Sequence, residues 1–199
     1  MDKRQQIRSE LKQRRAKYSD SQCQSLSWQI CNHLQNQRAF TNGQRFAFYY
    51  PMGNEVDLRE LMERSWSLEK KVFLPVLAGF PKGCLWWVEH TPATPMYLNQ
   101  YGIPEPEHPR RARRTKLRSL DIIFMPLVAF DTVGNRMGMG GGFYDRSLAK
   151  VYRADNTWHR PLRLGVAYSW QQVDAIPAEK WDIPLDAIAT ENGVTWFRR

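Results

Sequence analysis

Residues 120–146 have the sequence Leu-Asp-Ile-Ile-Phe-Met-Pro-Leu-Val-Ala-Phe-Asp-Thr-Val-Gly-Asn-Arg-Met-Gly-Met-Gly-Gly-Gly-Phe-Tyr-Asp-Arg. We predict that the rest of the chain is built around this segment. Its first half is a short apolar run bounded by Asp121 and Pro126, which predicts a strand buried on both faces of a parallel sheet. Its second half places four of the chain's twelve glycines within residues 138–142, here called the glycine loop. The segment Phe143–Tyr152 follows at once and is predicted to be helical.

A glycine cluster between a strand and a helix indicates backbone at positive φ or in close approach to a ligand, which at a helix start is commonly an anion. The alternative is a plain flexible linker, but Arg136, Tyr144, Asp145 and Arg146 stand directly beside the glycines, which linkers seldom show. No Gly-Lys-Ser/Thr follows, so the loop is not a Walker loop. Phe143 occupies the place of the third glycine of a dinucleotide fingerprint, so a different phosphate loop is predicted.

Composition predicts a folded globule. The chain has 199 residues, of which 42% are apolar, and this suits a single domain spanning residues 1–199. It has no apolar run long enough to cross a bilayer and no signal-peptide core at its start, so we expect a cytoplasmic location and no membrane partner. The three cysteines form no Cys-x-x-Cys pair, and we expect them to be reduced and structural.

The net charge of +9 is concentrated in two basic segments, residues 1–18 and residues 108–118. Such patches favour a polyanion, a nucleotide or an acidic small molecule as partner. For the second segment, a solvated charged face is an equally reasonable interpretation.

The pattern along the chain predicts strands that alternate with helices. Helices are expected at residues 2–17 and from an N-cap at Ser19 to about residue 37, forming an N-terminal α-hairpin. Residues 91–119 contain five prolines and are expected to be mostly irregular. The other elements are a helix at 56–68 and strands at 46–50, 72–77, 84–88, 162–167, 187–190 and 194–197. This alternation predicts a three-layer α/β/α sandwich with a mostly parallel sheet, whose ligands bind beyond the carboxyl ends of the strands.

Several charged residues are candidates for that site. Arg4 and Arg8 share one face of the first helix and suit a phosphate clamp. Glu55 follows the first strand, where a carboxylate can cap a helix or contact a ligand. Asp145, with Asp182 or Asp186, suits Mg²⁺, although turn capping or a salt bridge would explain these carboxylates equally well. The histidines show no metal-ligand spacing, and no nucleophile with a base is evident, so the site is predicted to position phosphate and metal.

Two motifs carry a resemblance to a known family. They are Met-Pro-Leu-Val-Ala-Phe-Asp at residues 125–131 and Gly-Asn-Arg-Met-Gly-Met-Gly-Gly-Gly-Phe-Tyr-Asp-Arg at residues 134–146. Together they resemble the signature of the 5-formyltetrahydrofolate cyclo-ligase family, also called methenyltetrahydrofolate synthetases. Weaker matches in the same order at residues 4–15, 52–55, 102–106 and 177–186 extend the resemblance over nearly the whole chain.

The resemblance implies a monomeric enzyme with the fold shared by ribose-phosphate isomerases and CoA transferases. It would use ATP as co-substrate and Mg²⁺ to convert 5-formyltetrahydrofolate into 5,10-methenyltetrahydrofolate, ADP and phosphate. The residues implied to bind ATP are Arg4, Arg8, Arg136, Met137, Gly138, Met139, Gly140, Gly141, Gly142, Phe143 and Tyr144. Those implied to bind folate are Tyr50, Glu55, Tyr101, Met139, Gly140, Gly141, Gly142 and Phe143, and those implied to bind the metal are Asp145 and Asp182.

Two other functions compete with this one. An RNA-associated protein would use both basic segments on phosphates, but the aromatic residues are not grouped as a stacking platform, and no nucleic-acid partner is expected. A sugar-phosphate isomerase would need a carboxylate or lysine placed to move a carbon-bound proton. If the substrate is a folate, the basic residues 110–118 are expected to attract its polyglutamate tail.

Overall fold

A computed structural model of the chain describes residues 2–107, 115–152 and 160–197. The helices are α1 (Lys3–Arg15), α2 (Asp20–Gln35), α3 (Arg38–Asn42), α4 (Arg59–Ser67) and α5 (Phe143–Tyr152). The first strands are β1 (Arg45–Ala47), β2 (Lys71–Leu77), β3 (Leu85–His90), β4 (Met96–Leu98), β5 (Pro104–Pro106) and β6 (Ile122–Pro126). The remaining strands are β7 (Ala129–Phe130), β8 (Arg136–Met137), β9 (Leu162–Val166), β10 (Ala187–Thr190) and β11 (Gly193–Trp196).

Seven strands form one central sheet in the order β11-β10-β9-β6-β1-β2-β3. The five inner strands are parallel to their neighbours, whereas β3 and β11 pair antiparallel at the two edges. β6 occupies the centre, and its residues Ile122 to Met125 are all almost fully buried, as the apolar run predicted. The prediction of a mostly parallel α/β sheet is therefore confirmed.

Alternate residues of β6 enter two separate cores, one on each face of the sheet. Ile122 and Phe124 pack in the core that also contains buried residues of α2 and α4. Ile123 and Met125 pack on the opposite face, where Leu148 of α5 is buried. Because successive strand side chains point to opposite faces, this alternation produces the three layers that the sequence predicted.

The two N-terminal helices form where the sequence placed them. Ser19 caps α2 by accepting a hydrogen bond from the Gln22 N–H, and the Gln22 side chain accepts one from the Ser19 N–H. The apolar positions Ile30 and Leu34 of α2 are fully buried. α2 packs against β10 and α4, whereas α1 lies beside β7. α1 thereby reaches the part of the chain that carries the glycine loop.

Two short hairpins were not predicted. β4 and β5 pair within residues 91–119, a segment expected to be mostly irregular. β7 and β8 pair between the central strand and the glycine loop, so the loop does not follow β6 directly. Neither hairpin has an apolar alternation long enough to register in the sequence, because its strands are only two or three residues long.

The described residues agree with two further expectations. No helix among residues 2–107, 115–152 and 160–197 is long and apolar enough to span a membrane. Cys23, Cys31 and Cys84 are free thiols, as expected for reduced cysteines. Burial raises the pKa of the Cys31 thiol to about 12, which keeps it protonated and unreactive at neutral pH.

Asp131 fixes the turn between β7 and β8. Its carboxylate is buried and accepts hydrogen bonds from the backbone N–H groups of Val133 (3.1 Å) and Asn135 (2.9 Å). It also accepts from the Asn135 side chain (2.9 Å) and from the N–H of Ile176 (3.1 Å). One carboxylate therefore joins the turn that precedes Arg136 to the segment that leads to Asp182.

Asp131→Ala is expected to lower the free energy of unfolding by about 3 kcal/mol, because buried donors would lose their acceptor. Urea denaturation measures the loss. Asp174→Ala, which removes an exposed aspartate from the same neighbourhood, is the matched control and should change stability by less than about 0.5 kcal/mol. Equal stability of the two variants would contradict this role of Asp131.

Candidate active site

A cavity of about 1050 Å³ opens at the carboxyl ends of the parallel strands. Tyr50 follows β1, Leu77 ends β2 and Pro126 ends β6, and all three line it. The candidate residues that line it are Arg4, Arg8, Tyr50, Glu55, Tyr101, Arg136, Gly138, Met139, Gly140, Gly141, Gly142, Phe143, Tyr144, Asp145 and Asp182. The exception is Met137, whose side chain is fully buried in the core beneath the loop and does not line the cavity.

The glycine loop forms one wall of this cavity. Gly140 has a φ of +103° and Gly142 a φ of +63°, and the first of these values is outside the region that L-residues adopt. The loop ends at the first turn of α5, where backbone N–H groups without helical partners favour a bound anion. The loop has the positive φ values and the position before a helix that the sequence predicted, and its contact with phosphate stays a prediction.

The arginines of α1 hold the glycine loop and the segment that carries Asp182. Arg8 donates from Nε to the carbonyl oxygen of Gly138 at 2.9 Å, so α1 is fastened to the glycine loop. Arg4 donates from Nη1 to Asp182 Oδ2 at 2.7 Å and to the Pro177 carbonyl at 2.6 Å. The shared helix face predicted for Arg4 and Arg8 therefore faces the cavity.

Both candidate metal-binding carboxylates are paired with arginines. Asp145 Oδ1 accepts from Arg136 Nη2 at 2.6 Å and from the Ile183 N–H at 3.0 Å. Arg136 is deeply buried, which lowers its guanidinium pKa, and Asp145 opposes that shift. Asp186 was the alternative candidate, but it pairs with Arg163 at 2.6 Å and does not line the cavity.

Two carboxylates on one cavity wall suit Mg²⁺, which typically takes one or two protein carboxylates together with phosphate oxygens and water. The side chains of Asp145 and Asp182 are 15% and 14% exposed, so both remain reachable from the cavity. Among the described residues there is no group of three or more histidine, cysteine, aspartate or glutamate side chains that would form a closed metal site. The residues present fit a metal that arrives with a phosphate ligand.

Glu55 lies in the loop after β1 and also lines the cavity. Its Oε2 accepts from the Met52 N–H at 3.1 Å, and its Oε1 lies 3.6 Å from Arg15 Nη1. Burial raises the pKa of Glu55, and the Met52 N–H and Arg15 oppose that shift. Burial also raises the pKa of Tyr144, and the negative charge of Glu55 adds to that increase.

Several residues that line this cavity have no role predicted from the sequence. Arg146 donates from Nε to the Gly83 carbonyl at 2.8 Å and from Nη2 to Gly141, and it lies over the Phe143 ring. It thereby joins the glycine loop to the turn between β2 and β3. The position of Arg146 directly after Asp145 was the sequence signal that could have predicted a role for it. The other lining residues without an assigned role include Asn99, Glu105 and Trp181.

This arrangement defines a class of protein, an α/β protein with a large cavity where its parallel strands end. The chain belongs to the 5-formyltetrahydrofolate cyclo-ligase family, whose model matches residues 1–191. The family predicted from the motifs is therefore confirmed, and with it the class of enzyme, a cyclo-ligase.

Individual relatives agree with this assignment. The chain is 40% identical over 185 residues to 5-formyltetrahydrofolate cyclo-ligase of Haemophilus influenzae, covering 92% of this chain and 95% of the relative. It is 34% identical over 184 residues to the Escherichia coli K12 protein of the same name, covering 92% and 98%. Its structure resembles that of Aquifex aeolicus 5,10-methenyltetrahydrofolate synthetase with a TM-score of 0.80 at 31% identity, covering 98% and 93% of the two chains.

Proposed function

We propose that this chain converts 5-formyltetrahydrofolate into 5,10-methenyltetrahydrofolate, using ATP and Mg²⁺ and releasing ADP and phosphate. We propose also that it acts as a monomer with one domain over residues 1–199. One observation carries the proposal: the glycine loop, Arg8, Glu55 and Asp182 line a single cavity. The glycine loop, where phosphate would bind, and Glu55, where the folate would bind, therefore lie in one cavity, so that the two substrates could meet.

The phosphates of ATP would lie at the glycine loop and the start of α5. Arg8 is held on the loop by its bond to Gly138, and its remaining N–H donors are available to phosphate oxygens. Arg4 and Arg136 stand beside the two aspartates and add positive charge to the same wall. Positioned backbone N–H groups and arginines supply the charge neutralisation on which phosphoryl transfer depends.

Asp145 and Asp182 would hold Mg²⁺. When bound, the ion would neutralise charge on the transferring phosphate group. Arg4 and Arg136 orient these carboxylates in the cavity wall, because each aspartate shares a short hydrogen bond with an arginine. The start of α5 also favours the negative charge of Asp145, which lies in its first turn.

The pterin of the folate would lie between Glu55 and the aromatic residues at the cavity mouth. A carboxylate can accept two hydrogen bonds from neighbouring N–H donors, which the pterin edge carries. Leu77, Leu85 and Ile103 supply an apolar wall for the ring, and Tyr101 and Phe143 lie at the opening. Tyr50 lies on the same strand end as Glu55.

The reaction itself needs little proton transfer from the protein. The formyl oxygen would attack the γ-phosphorus of ATP, releasing ADP and giving an iminium phosphate. N10 of the folate would then attack the activated carbon and lose its proton, and phosphate would leave with the former formyl oxygen. Among the described residues no histidine lines the cavity, which suits a reaction promoted by alignment and charge.

Binding of 5-formyltetrahydrofolate, measured by isothermal titration calorimetry, tests the folate end of this proposal. Glu55→Gln is expected to weaken binding roughly tenfold or more, because a neutral amide replaces a charged acceptor. Wild-type affinity should fall as the pH falls through the Glu55 pKa, which burial raises above 4.5, and Glu55→Gln should lack that step. Glu63→Gln, at an exposed glutamate, is the control. Equal affinities of wild type and Glu55→Gln at every pH would contradict the pterin contact.

The alternative of an RNA-associated protein gains no support from the comparisons. In the first basic segment, Arg4 and Arg8 line the cavity. In the second, residues 108–114 lie outside the described residues. Its attraction for a polyglutamate tail on the folate stays a prediction, to be measured by comparing folates with one and several glutamates.

A further inference from the structure

A buried carboxylate lies at the base of the β4–β5 hairpin. Glu105 is only 3% exposed, and its carboxylate accepts three hydrogen bonds from neutral donors. Leu77 N–H donates to Oε1 at 2.9 Å, and the Tyr97 hydroxyl donates to Oε2 at 2.8 Å. Asn99 Nδ2 donates to Oε1 at 2.7 Å. The bond from Leu77 attaches the hairpin to the end of β2. The bond from Asn99 attaches Glu105 to the tip of the same hairpin.

The bond to Glu105 sets which way the Asn99 amide faces. A carboxylate only accepts hydrogen bonds, so the NH₂ group of Asn99 must point toward Glu105 and its oxygen must point the other way. That oxygen accepts from the N–H groups of Tyr101 at 2.8 Å and Ile103 at 3.1 Å. The orientation set at Glu105 therefore fixes these two bonds in the tip, residues 99–103, where the Asn99 N–H also donates to the Ile103 carbonyl and the Gly102 N–H to the Asn99 carbonyl.

Tyr101 depends on that backbone for its position. It is 56% exposed, and its ring makes an edge-to-face contact with Phe143 at a centroid distance of 6.0 Å. Phe143 follows the glycine loop, so two rings from different parts of the chain meet edge to face at the cavity mouth. A half-exposed ring with so little packing is placed by its main chain, here by the two hydrogen bonds at Asn99.

We propose that Glu105 and Asn99 are positioning residues that hold Tyr101 opposite Phe143, so that Tyr101 packs on the pterin of the folate. The inference rests on the proposed function. It predicts that removing Asn99 or Glu105 weakens folate binding through the displacement of Tyr101. If the hydrogen bonds only stabilised the hairpin, their loss would lower its stability and leave the ratio of the folate and ATP affinities unchanged.

The test is a double-mutant cycle in the full chain with Asn99→Ala, Tyr101→Ala and both changes together. Calorimetry should give about tenfold weaker binding of 5-formyltetrahydrofolate for each single variant. The double variant should bind as weakly as Tyr101→Ala alone, and affinity for ATP should not change. Asn192→Ala, at the exposed tip of the β10–β11 hairpin, is the matched control and should bind folate like wild type.

Two variants at Glu105 complete the test. Glu105→Gln should bind folate nearly as wild type, because its amide oxygen can accept from Leu77 and Asn99 and its NH₂ can donate to the Tyr97 hydroxyl. Glu105→Ala should bind folate as weakly as Asn99→Ala. The inference is overturned if the losses of Asn99→Ala and Tyr101→Ala multiply in the double variant, or if Asn99→Ala binds folate like wild type. A wild-type protein that binds no 5-formyltetrahydrofolate overturns the proposed function as well.

Discussion

Gly140→Ala is expected to lower kcat/KM for ATP roughly a hundredfold, because misplacing a phosphate loop by about 1 Å has effects of that size. Gly140 has a φ of +103°, which an alanine can adopt only with strain. A Cβ there would lie 3.8 Å from the Arg8 guanidinium, which is ordinary contact, so backbone strain and not a clash would displace the loop. Steady-state kinetics and equilibrium binding of ATP measure the effect.

Gly193→Ala is the matched control for this variant. Gly193 has a φ of +129° at the start of β11, and a Cβ there would meet no heavy atom within 4 Å. Both alanines carry a similar backbone cost, so urea denaturation should give similar losses of stability. Only Gly140→Ala should lose affinity for ATP. If the two variants bind ATP equally well, the glycine loop is not the phosphate site.

Asp145→Asn is expected to reduce kcat about a thousandfold and to flatten its dependence on Mg²⁺ concentration, since a metal at the transferring phosphate contributes several kcal/mol. Asparagine retains an oxygen that can accept from Arg136 and Ile183, so the local shape is kept while the charge is lost. Removing the charge that is hydrogen-bonded to the buried Arg136 should also lower the free energy of unfolding by about 3 kcal/mol.

The variant Asp186→Asn separates the loss of stability from the loss of activity and Mg²⁺ dependence. Asp186 pairs with Arg163, whose side chain is as buried as that of Arg136, and it lies outside the cavity. We expect a similar loss of stability in urea denaturation with activity and Mg²⁺ dependence retained. An Asp145→Asn enzyme whose rate still responds to Mg²⁺ as the wild type does would refute the metal role.

The sequence predicted the elements that have a strong local signal. The helix Phe143–Tyr152 and the strand Ala187–Thr190 were predicted with the bounds that the structure has. The β4–β5 hairpin was not, because its two prolines discourage strand assignment and all three residues of β4 are exposed. It forms because Glu105 attaches it to Leu77, which lies 28 residues away along the chain. No local pattern records such a contact.

Most residues predicted for the site line one cavity, whereas the pairs that they form were not predicted. Glycine spacing and the motifs pointed to the loop, and the structure brings it together with Glu55 and Asp182. The bond between Arg4 and Asp182 joins residues 178 positions apart, which residue types alone do not specify. Asn99 was missed because an asparagine in a turn has an ordinary structural explanation. Its importance depends on the buried carboxylate beside it.

We propose that one cavity brings a nucleotide phosphate and a folate formyl group together. The most direct measurement mixes the protein with 5-formyltetrahydrofolate, ATP and Mg²⁺ and follows the absorbance of 5,10-methenyltetrahydrofolate together with the formation of ADP. We predict that the absorbance rises only when all three are present and that methenyl product and ADP form in equal amounts. No methenyl product from the complete mixture, or the same rate without ATP, would contradict the claim.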